Sequence, residues 1–419
     1  MESMIQTLQE EFHAFLAATE QSTPRTYAFP QANNLIKVAV GMRRSGKTYF
    51  LFQTIRKLLV EGTPLTRILY LNFEDDRILP MGHKEMGHLI DSWYTLYPEH
   101  HGEECHLFLD EVQNVEGWPL VLRRILDTKK SNLYVTGSSA KLLSKEIATS
   151  LRGRSLSIEI FPYAYQEHLT AHRRKYPSKP FGQQSLDYHR SYLLEYFRSG
   201  GFPGVQSLPQ NERIEALQGY VETVIFRDIV ERHQITNVVL MKYFIRSLLK
   251  NAAAPFSINK FYNDSKSQGH KVGKDTLYAY LDYLEDAFLI FTVPIFTESI
   301  RHRHTAPKKI YAVDNGLLLA NTFNLSDNLG KLLENQVYLD LRRQGKTIFY
   351  YHTADGYEID FITRDAKGGY EMIQVVWDMS DSETLQREER GLRQAESELG
   401  FPGRILDYKE YLRSFAYTG

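Results

Sequence analysis

The chain has 419 residues, with 50 Lys+Arg against 51 Asp+Glu, one cysteine, 42% hydrophobic and 13% aromatic residues. At roughly 100–200 residues per domain, that length predicts two to four domains. A near-zero net charge excludes a chain that is basic or acidic throughout, so any nucleic-acid contact must come from local patches. No run approaches the roughly 18 apolar residues of a membrane span, and the N-terminus lacks a basic region followed by an apolar one. The single Cys105 leaves no internal disulfide framework and no cysteine-based zinc site. These features predict a cytoplasmic protein with no membrane partner.

In chain order, a short helical pattern over residues 4–16 ends at Gln21-Ser22-Thr23-Pro24. An α/β rhythm follows. Residues 35–40 read as a strand that meets Gly41, then a helix through Leu59. Residues 67–73 and 106–109 read as strands, 118–126 as a helix, 133–136 as a fourth strand and 155–161 as a fifth. Short apolar strands separated by helices predict a parallel sheet covered on both faces. Residues 163–233 are mostly helical, broken at Gly200-Gly201-Phe202-Pro203-Gly204. A helix-rich stretch over 238–286 leads into an apparent hairpin, 288–296 and 309–313, joined by a basic turn. The last part has the order αβββαβ: a helix at 329–344, strands near 347–351, 359–363 and 372–377, then a helix at 383–399.

Gly41-Met42-Arg43-Arg44-Ser45-Gly46-Lys47-Thr48 fits G-x-x-x-x-G-K-[ST]. Its glycines let backbone N–H groups fold around phosphates at a helix start. Lys47 would neutralise the β/γ-phosphates, and the Thr48 hydroxyl would take a Mg²⁺. Residues 106–111 form an apolar strand ending in Asp110-Glu111. Asp110 would hold Mg²⁺ through water, and Glu111 would orient and deprotonate the attacking water. A strand lying between these two motifs in sequence suits the NTPase branch with an inserted strand. Ser138, ending the fourth strand, is placed to bond the γ-phosphate or the water, or is a helix N-cap. Asn72 ends the second strand; it either holds Glu111 idle or is a turn residue. Arg152 and Arg154 precede the fifth strand; an arginine there is either a trans-acting finger toward a neighbouring subunit, with Arg154 preferred, or part of a solvated charge pair at a helix end.

Together with Thr136-Gly137-Ser138-Ser139, Leu151-Arg152-Gly153-Arg154 and Gly200-Gly201-Phe202-Pro203, these motifs resemble the prokaryotic AAA+ ATP-binding proteins whose C-terminal half is a domain of unknown function. The resemblance implies an α/β P-loop NTPase sheet with a helical lid, then a winged helix and a small α/β domain similar to PD-(D/E)xK nucleases. The expected divisions are an N-terminal helical segment (1–30), the ATPase core (31–165), the lid (166–235), the winged helix (236–325) and the nuclease-like domain (326–419). ATP and Mg²⁺ are the implied cofactors, DNA and a self-assembled ring the implied partners. Arg227 is either a lid arginine near the γ-phosphate or the partner of Asp228 or another nearby acid.

In the winged-helix stretch, Leu277, Leu281 and Leu284 make an apolar stripe, with Lys274, Thr276, Tyr278, Tyr280 and Tyr283 partly on the other side. Residues 301–309 are the densest basic patch, read as a wing tip. Lys271, Lys274, Arg301, Arg303, Lys308 and Lys309 are therefore the DNA-binding candidates. The terminal domain departs from the nuclease pattern. Glu334 and Asp360 match its acids, but Gln374 stands for the second carboxylate and Val376 for the lysine, so cleavage is not expected there. The reading is a Mg²⁺-dependent ATPase coupling hydrolysis to DNA binding and remodelling, with translocation on branched or junction DNA as one form. The alternatives are an ATP-operated switch that captures a protein, or an ATPase-governed nuclease.

Overall fold

The computed structural model describes residues 2–32, 34–139, 151, 153–175, 182–322, 328–380 and 382–416. These form two compact units, one of residues 1–161 with 286–288, the other of 162–285 with 289–419. Among the described residues, no helix is long and apolar enough to cross a membrane.

The first unit is built on a five-stranded sheet: β1 (Ile36–Val40), β2 (Ile68–Asn72), β3 (Cys105–Asp110), β4 (Ser131–Gly137) and β5 (Ser155–Glu159), in the order β2-β3-β4-β1-β5. Every pairing is parallel. Strands β1 and β3 are buried along their whole length, which is why they read as unbroken apolar runs rather than alternating ones. Because β4 lies between β1 and β3, the inserted strand inferred from chain order is realised in the sheet. Helices α1 (Glu2–Ala18), α2 (Lys47–Val60), α3 (His83–Leu96) and α4 (Trp118–Thr128) belong to this unit. One cluster joins Phe12 and Leu16 of α1 to Phe29, Phe50, Phe52, Tyr70, Phe108 and Tyr134. The segment read as a separate N-terminal helix thus shares the core of the sheet.

In the second unit, α5 (Tyr165–Ala171), α6 (Gln183–Ser199) and α7 (Gln210–Thr223) precede a π-helix at Val224–Glu231. The break after α6 is set by a close approach. Gly200 has φ +68°, and a Cβ there would lie 2.1 Å from Asp314 Oδ1. Asp314 Oδ2 accepts the Gly201 N–H at 2.7 Å, and its other oxygen caps the helix that follows.

Next come α8 (Val238–Lys250), β6 (Ala254–Phe256), α9 (Ile258–Ser267), α10 (Lys274–Asp286), β7 (Ile290–Val293), α11 (Ile300–Thr305), β8 (Lys308–Ala312) and α12 (Asn315–Asn321). The three strands pair antiparallel in the order β6-β8-β7. Three sequence readings change here. The basic stretch is not a hairpin tip: residues 300–305 form α11, capped by the Ser299 hydroxyl, which accepts the His302 N–H. Tyr280 points into the core with Leu277, Leu281 and Leu284. Lys309 is fully buried and cannot meet a DNA backbone.

The chain ends with α13 (Leu329–Arg343), β9 (Thr347–His352), β10 (Glu358–Arg364), β11 (Tyr370–Val375), α14 (Ser382–Leu399), β12 (Gly403–Leu406) and α15 (Tyr408–Ala416). The sheet order is β9-β10-β11-β12, with only the last pair parallel. Helix α14 covers it through Leu392 and Ala395.

Candidate ATP-binding and hydrolysis site

The loop from Gly41 joins β1 to α2, and its conformation is dictated by sterics. Gly41 has φ +155°, and a Cβ there would lie 2.2 Å from the Ile160 carbonyl oxygen. Only glycine fits that approach. Gly46, at φ +99°, caps α2 without a side chain, leaving the first helical N–H groups for an anion. From behind, Arg25 donates to the carbonyls of Ser45 and Phe161. The Ser45 hydroxyl is buried with no partner among the described residues. Lys47 is buried and folds back, its ammonium 3.2 Å from Gly41 O, 3.3 Å from Met42 O and 3.2 Å from Glu111 Oε1.

The strand-end acids meet this loop. Asp110 Oδ2 accepts from the Thr48 hydroxyl at 2.6 Å and from Tyr70 at 3.0 Å. The Thr136 hydroxyl donates to Asp110 Oδ1 and accepts the Glu111 N–H at 2.8 Å. Burial, then the neighbouring Glu111 charge, pushes the Asp110 carboxyl above its usual range, the condition a cation relieves. Burial would raise Glu111 as well. Lys47 and a hydrogen bond from Gln113 outweigh it and hold that carboxyl below the usual range, so it is ionised as a base must be. Glu111 sits at φ +52°, turning its side chain out of the strand and back toward the loop. Thr48 with Asp110 fits a hard divalent cation held through oxygen, and Lys47 with the loop amides fits a polyphosphate.

Three family models match the chain. One is described as an AAA domain, over residues 33–169. The other two are described as domains of unknown function, DUF8612 over 190–328 and DUF4143 over 329–412. The uncharacterized protein MJ1544 of Methanocaldococcus jannaschii is 35% identical over 354 residues, covering 83% of this chain and 76% of that one. The chain belongs to that family of AAA-type P-loop ATPases. An uncharacterized protein of Haemophilus influenzae is 31% identical over 334 residues, 80% of each chain. Among solved structures, the Walker-type ATPase PABY2304 of Pyrococcus abyssi is similar at a TM-score of 0.46 and 13% identity, over 70% of this chain and 91% of that one.

The remaining predicted residues of this AAA-type ATPase divide. Ser138 is in the site: its hydroxyl accepts from Gln113 Nε2 at 3.3 Å. Asn72 does not hold Glu111. Its Oδ1 accepts the Glu74 N–H at 3.0 Å, closing a turn. The amide on Glu111 belongs to Gln113, 2.5 Å from Oε2, a residue the sequence reading missed. Arg43 reaches Glu74 at 2.6 Å, and Arg44 is exposed at φ +66°. Arg152 lies outside the described residues. The Arg154 carbonyl accepts the N–H of Ile36, the first residue of β1, while its guanidinium pairs with Asp127. It therefore sits at the opposite end of the sheet from its own phosphate loop. In the second unit Asp228 pairs with Arg232 at 3.6 Å, and Arg227 is exposed on the π-helix.

The acids of the last domain are also brought together. Glu334 and Asp360 lie 2.9 and 2.8 Å from the Lys309 ammonium. Gln374 accepts the Asp360 N–H at 3.1 Å and donates to Glu388 at 2.8 Å. Val376 is buried.

Proposed function

We propose that this protein is a Mg²⁺-dependent ATP hydrolase of AAA+ type that couples turnover to binding and remodelling DNA. The observation that carries the hydrolase reading is the meeting of Lys47, Thr48, Asp110 and Glu111 at the end of β1 and β3. Lys47 exchanges its loop carbonyls and Glu111 for phosphate oxygens when nucleotide binds, and Glu111 is then released to accept a proton from water. Thr48 and Asp110 would hold Mg²⁺, which would supply Lewis-acid polarisation of the phosphates. Arg154 has no route to its own phosphate loop, so a catalytic role for it requires a neighbouring subunit, as in a ring.

The DNA reading rests on the surface around α10 and α11. The order α8-β6-α9-α10-β7-α11-β8, three helices followed by an antiparallel pair with a short helix at its connection, supports a winged helix. Lys271, Lys274 and Arg301 are exposed and Lys308 is half-buried. Arg303 lies over the Phe349 ring at 5.5 Å, which leaves it a smaller share in any contact. Losing Lys309 from this set lowers the local positive charge and leaves Lys271, Lys274, Arg301 and Lys308 to carry it. Steady-state ATPase rates without nucleic acid, and with single strand, linear duplex or four-way junction, test the coupling. Stimulation by one DNA form supports it; equal rates in all four remove the DNA reading and leave the hydrolase.

A further inference from the structure

The Lys309 ammonium lies in a cage of carboxylates drawn from two elements. Its distances are 2.9 Å to Glu334 Oε1 on α13, 2.6 Å to Glu358 Oε1 and 2.8 Å to Asp360 Oδ1 on β10. An ammonium has three N–H donors, and all three have a carboxylate oxygen here. Lys309 is fully buried, and Glu334 and Asp360 nearly so. The cage is held from outside. The Tyr311 hydroxyl donates to Glu334 Oε1 at 2.7 Å, and the Val375 N–H donates to Asp360 Oδ2 at 2.9 Å. Tyr311 is itself stacked on Tyr338, with ring centroids 4.3 Å apart.

We propose that the Lys309 ammonium is a built-in replacement for a divalent cation, filling the oxygen cage of Glu334, Glu358 and Asp360, so that the native site takes no metal and removing the ammonium opens one. The positions decide this. In a hard-cation site the carboxylate oxygens converge on the metal. Here the lysine stands where all three carboxylates point. A cation bound at roughly 2.0–2.6 Å from the same oxygens would need the volume that the ammonium fills. The charges agree. Three carboxylates face one ammonium, Glu334 and Asp360 buried and Glu358 partly exposed, so deleting it leaves an excess of acid that a divalent ion answers. The hydrogen bonds from Tyr311 and Val375 keep the oxygens converged when the ammonium is gone.

The test measures Mn²⁺ binding by the full chain, without nucleotide, in an Asp110→Asn background that removes the metal ligand of the ATP site. With Lys309 intact, no stoichiometric Mn²⁺ that Glu334→Gln removes is expected. Lys309→Ala should gain one Mn²⁺ per chain, lost again on adding Glu334→Gln, and Mn²⁺ should raise the melting temperature of Lys309→Ala but not of the parent. Mn²⁺ bound by the parent and lost on Glu334→Gln would overturn the proposal. So would a folded Lys309→Ala chain that binds none, or an unstable one whose melting Mn²⁺ leaves unmoved.

Discussion

Gln113→Ala should speed ATP hydrolysis. Glu111 is gripped twice, by Lys47 at 3.2 Å and by Gln113 at 2.5 Å. Phosphate draws Lys47 away, and the amide then remains as the contact that Glu111 must give up to accept a proton. A hydrogen bond to a charged group contributes about 1.5–3 kcal/mol. Since each ~1.4 kcal/mol is tenfold in rate, its removal accelerates the hydrolytic step by at most roughly 10- to 100-fold. The substitution perturbs little else. The Gln113 amide otherwise donates to the Ser138 hydroxyl at 3.3 Å, and its Oε1 is buried without a partner among the described residues. The assay is steady-state phosphate release at saturating ATP, with nucleotide affinity measured separately by calorimetry. The expected result is a raised kcat at unchanged Kd, with Glu111→Gln lowering kcat by about 10²–10⁴ in either background. A kcat that falls in Gln113→Ala would refute the reasoning, because the amide would then be aiming Glu111 instead of restraining it.

Other outcomes are equally open to measurement. Gly41→Ala drives a methyl to 2.2 Å from the Ile160 oxygen at φ +155°; it should cost about 1–3 kcal/mol, read as a lowered melting temperature, and weaken ATP binding. Arg154→Ala should leave ATP affinity intact while reducing turnover only at concentrations where the protein self-assembles; equal turnover in the assembled state counts against the trans finger. His168 is held neutral in the second unit, its pKa pushed down to about 3 by burial and then by nearby His172. The unfolded chain takes up a proton near 6.5 and the folded one does not, so stability falls as pH drops through that window. Between pH 7 and pH 5 the loss from this group is about 2 kcal/mol. His168→Phe should remove that component of the pH dependence in urea titrations, and an unchanged slope would show that His168 protonates in place.

The phosphate loop and the strand-end acids were readable because each works through adjacent residues. Gly41 to Thr48 must turn from strand to helix, and Asp110-Glu111 must end a buried strand. What surrounds them was not readable, because it depends on register. Tyr70 and Thr136 reach Asp110 only because β2 and β4 flank β3, and no local pattern marks either residue. Asn72 pairs directly with Asp110 across the sheet and still misses Glu111, since its side chain closes its own turn. Gln113 left one faint trace, an amide two residues beyond the base, made relevant by the 3-10 turn Val112–Asn114.

Lys309 shows the deeper limit. In the sequence it is one of several cations between Arg301 and Lys309 and looks like Lys308. A strand gives consecutive residues opposite faces, so β8 leaves Lys308 half-exposed and turns Lys309 inward beside Tyr311. Charge density along a chain therefore cannot be read as charge density on a surface once the stretch enters a sheet. The same turn that removes Lys309 from the basic face sets its ammonium among Glu334, Glu358 and Asp360. Two apparent defects of the sequence, a buried charge and an incomplete acid site, are thus one ion-paired structure. Exchanging the charges tests that unity. Lys309→Met alone should destabilise the chain by about 3–5 kcal/mol, the cost of leaving buried carboxylates unpaired. Adding Glu334→Gln should recover part of it, because the amide leaves one buried carboxylate fewer for the absent ammonium to balance. If the double variant is no more stable than Lys309→Met in urea unfolding, the two residues are not coupled through this cage.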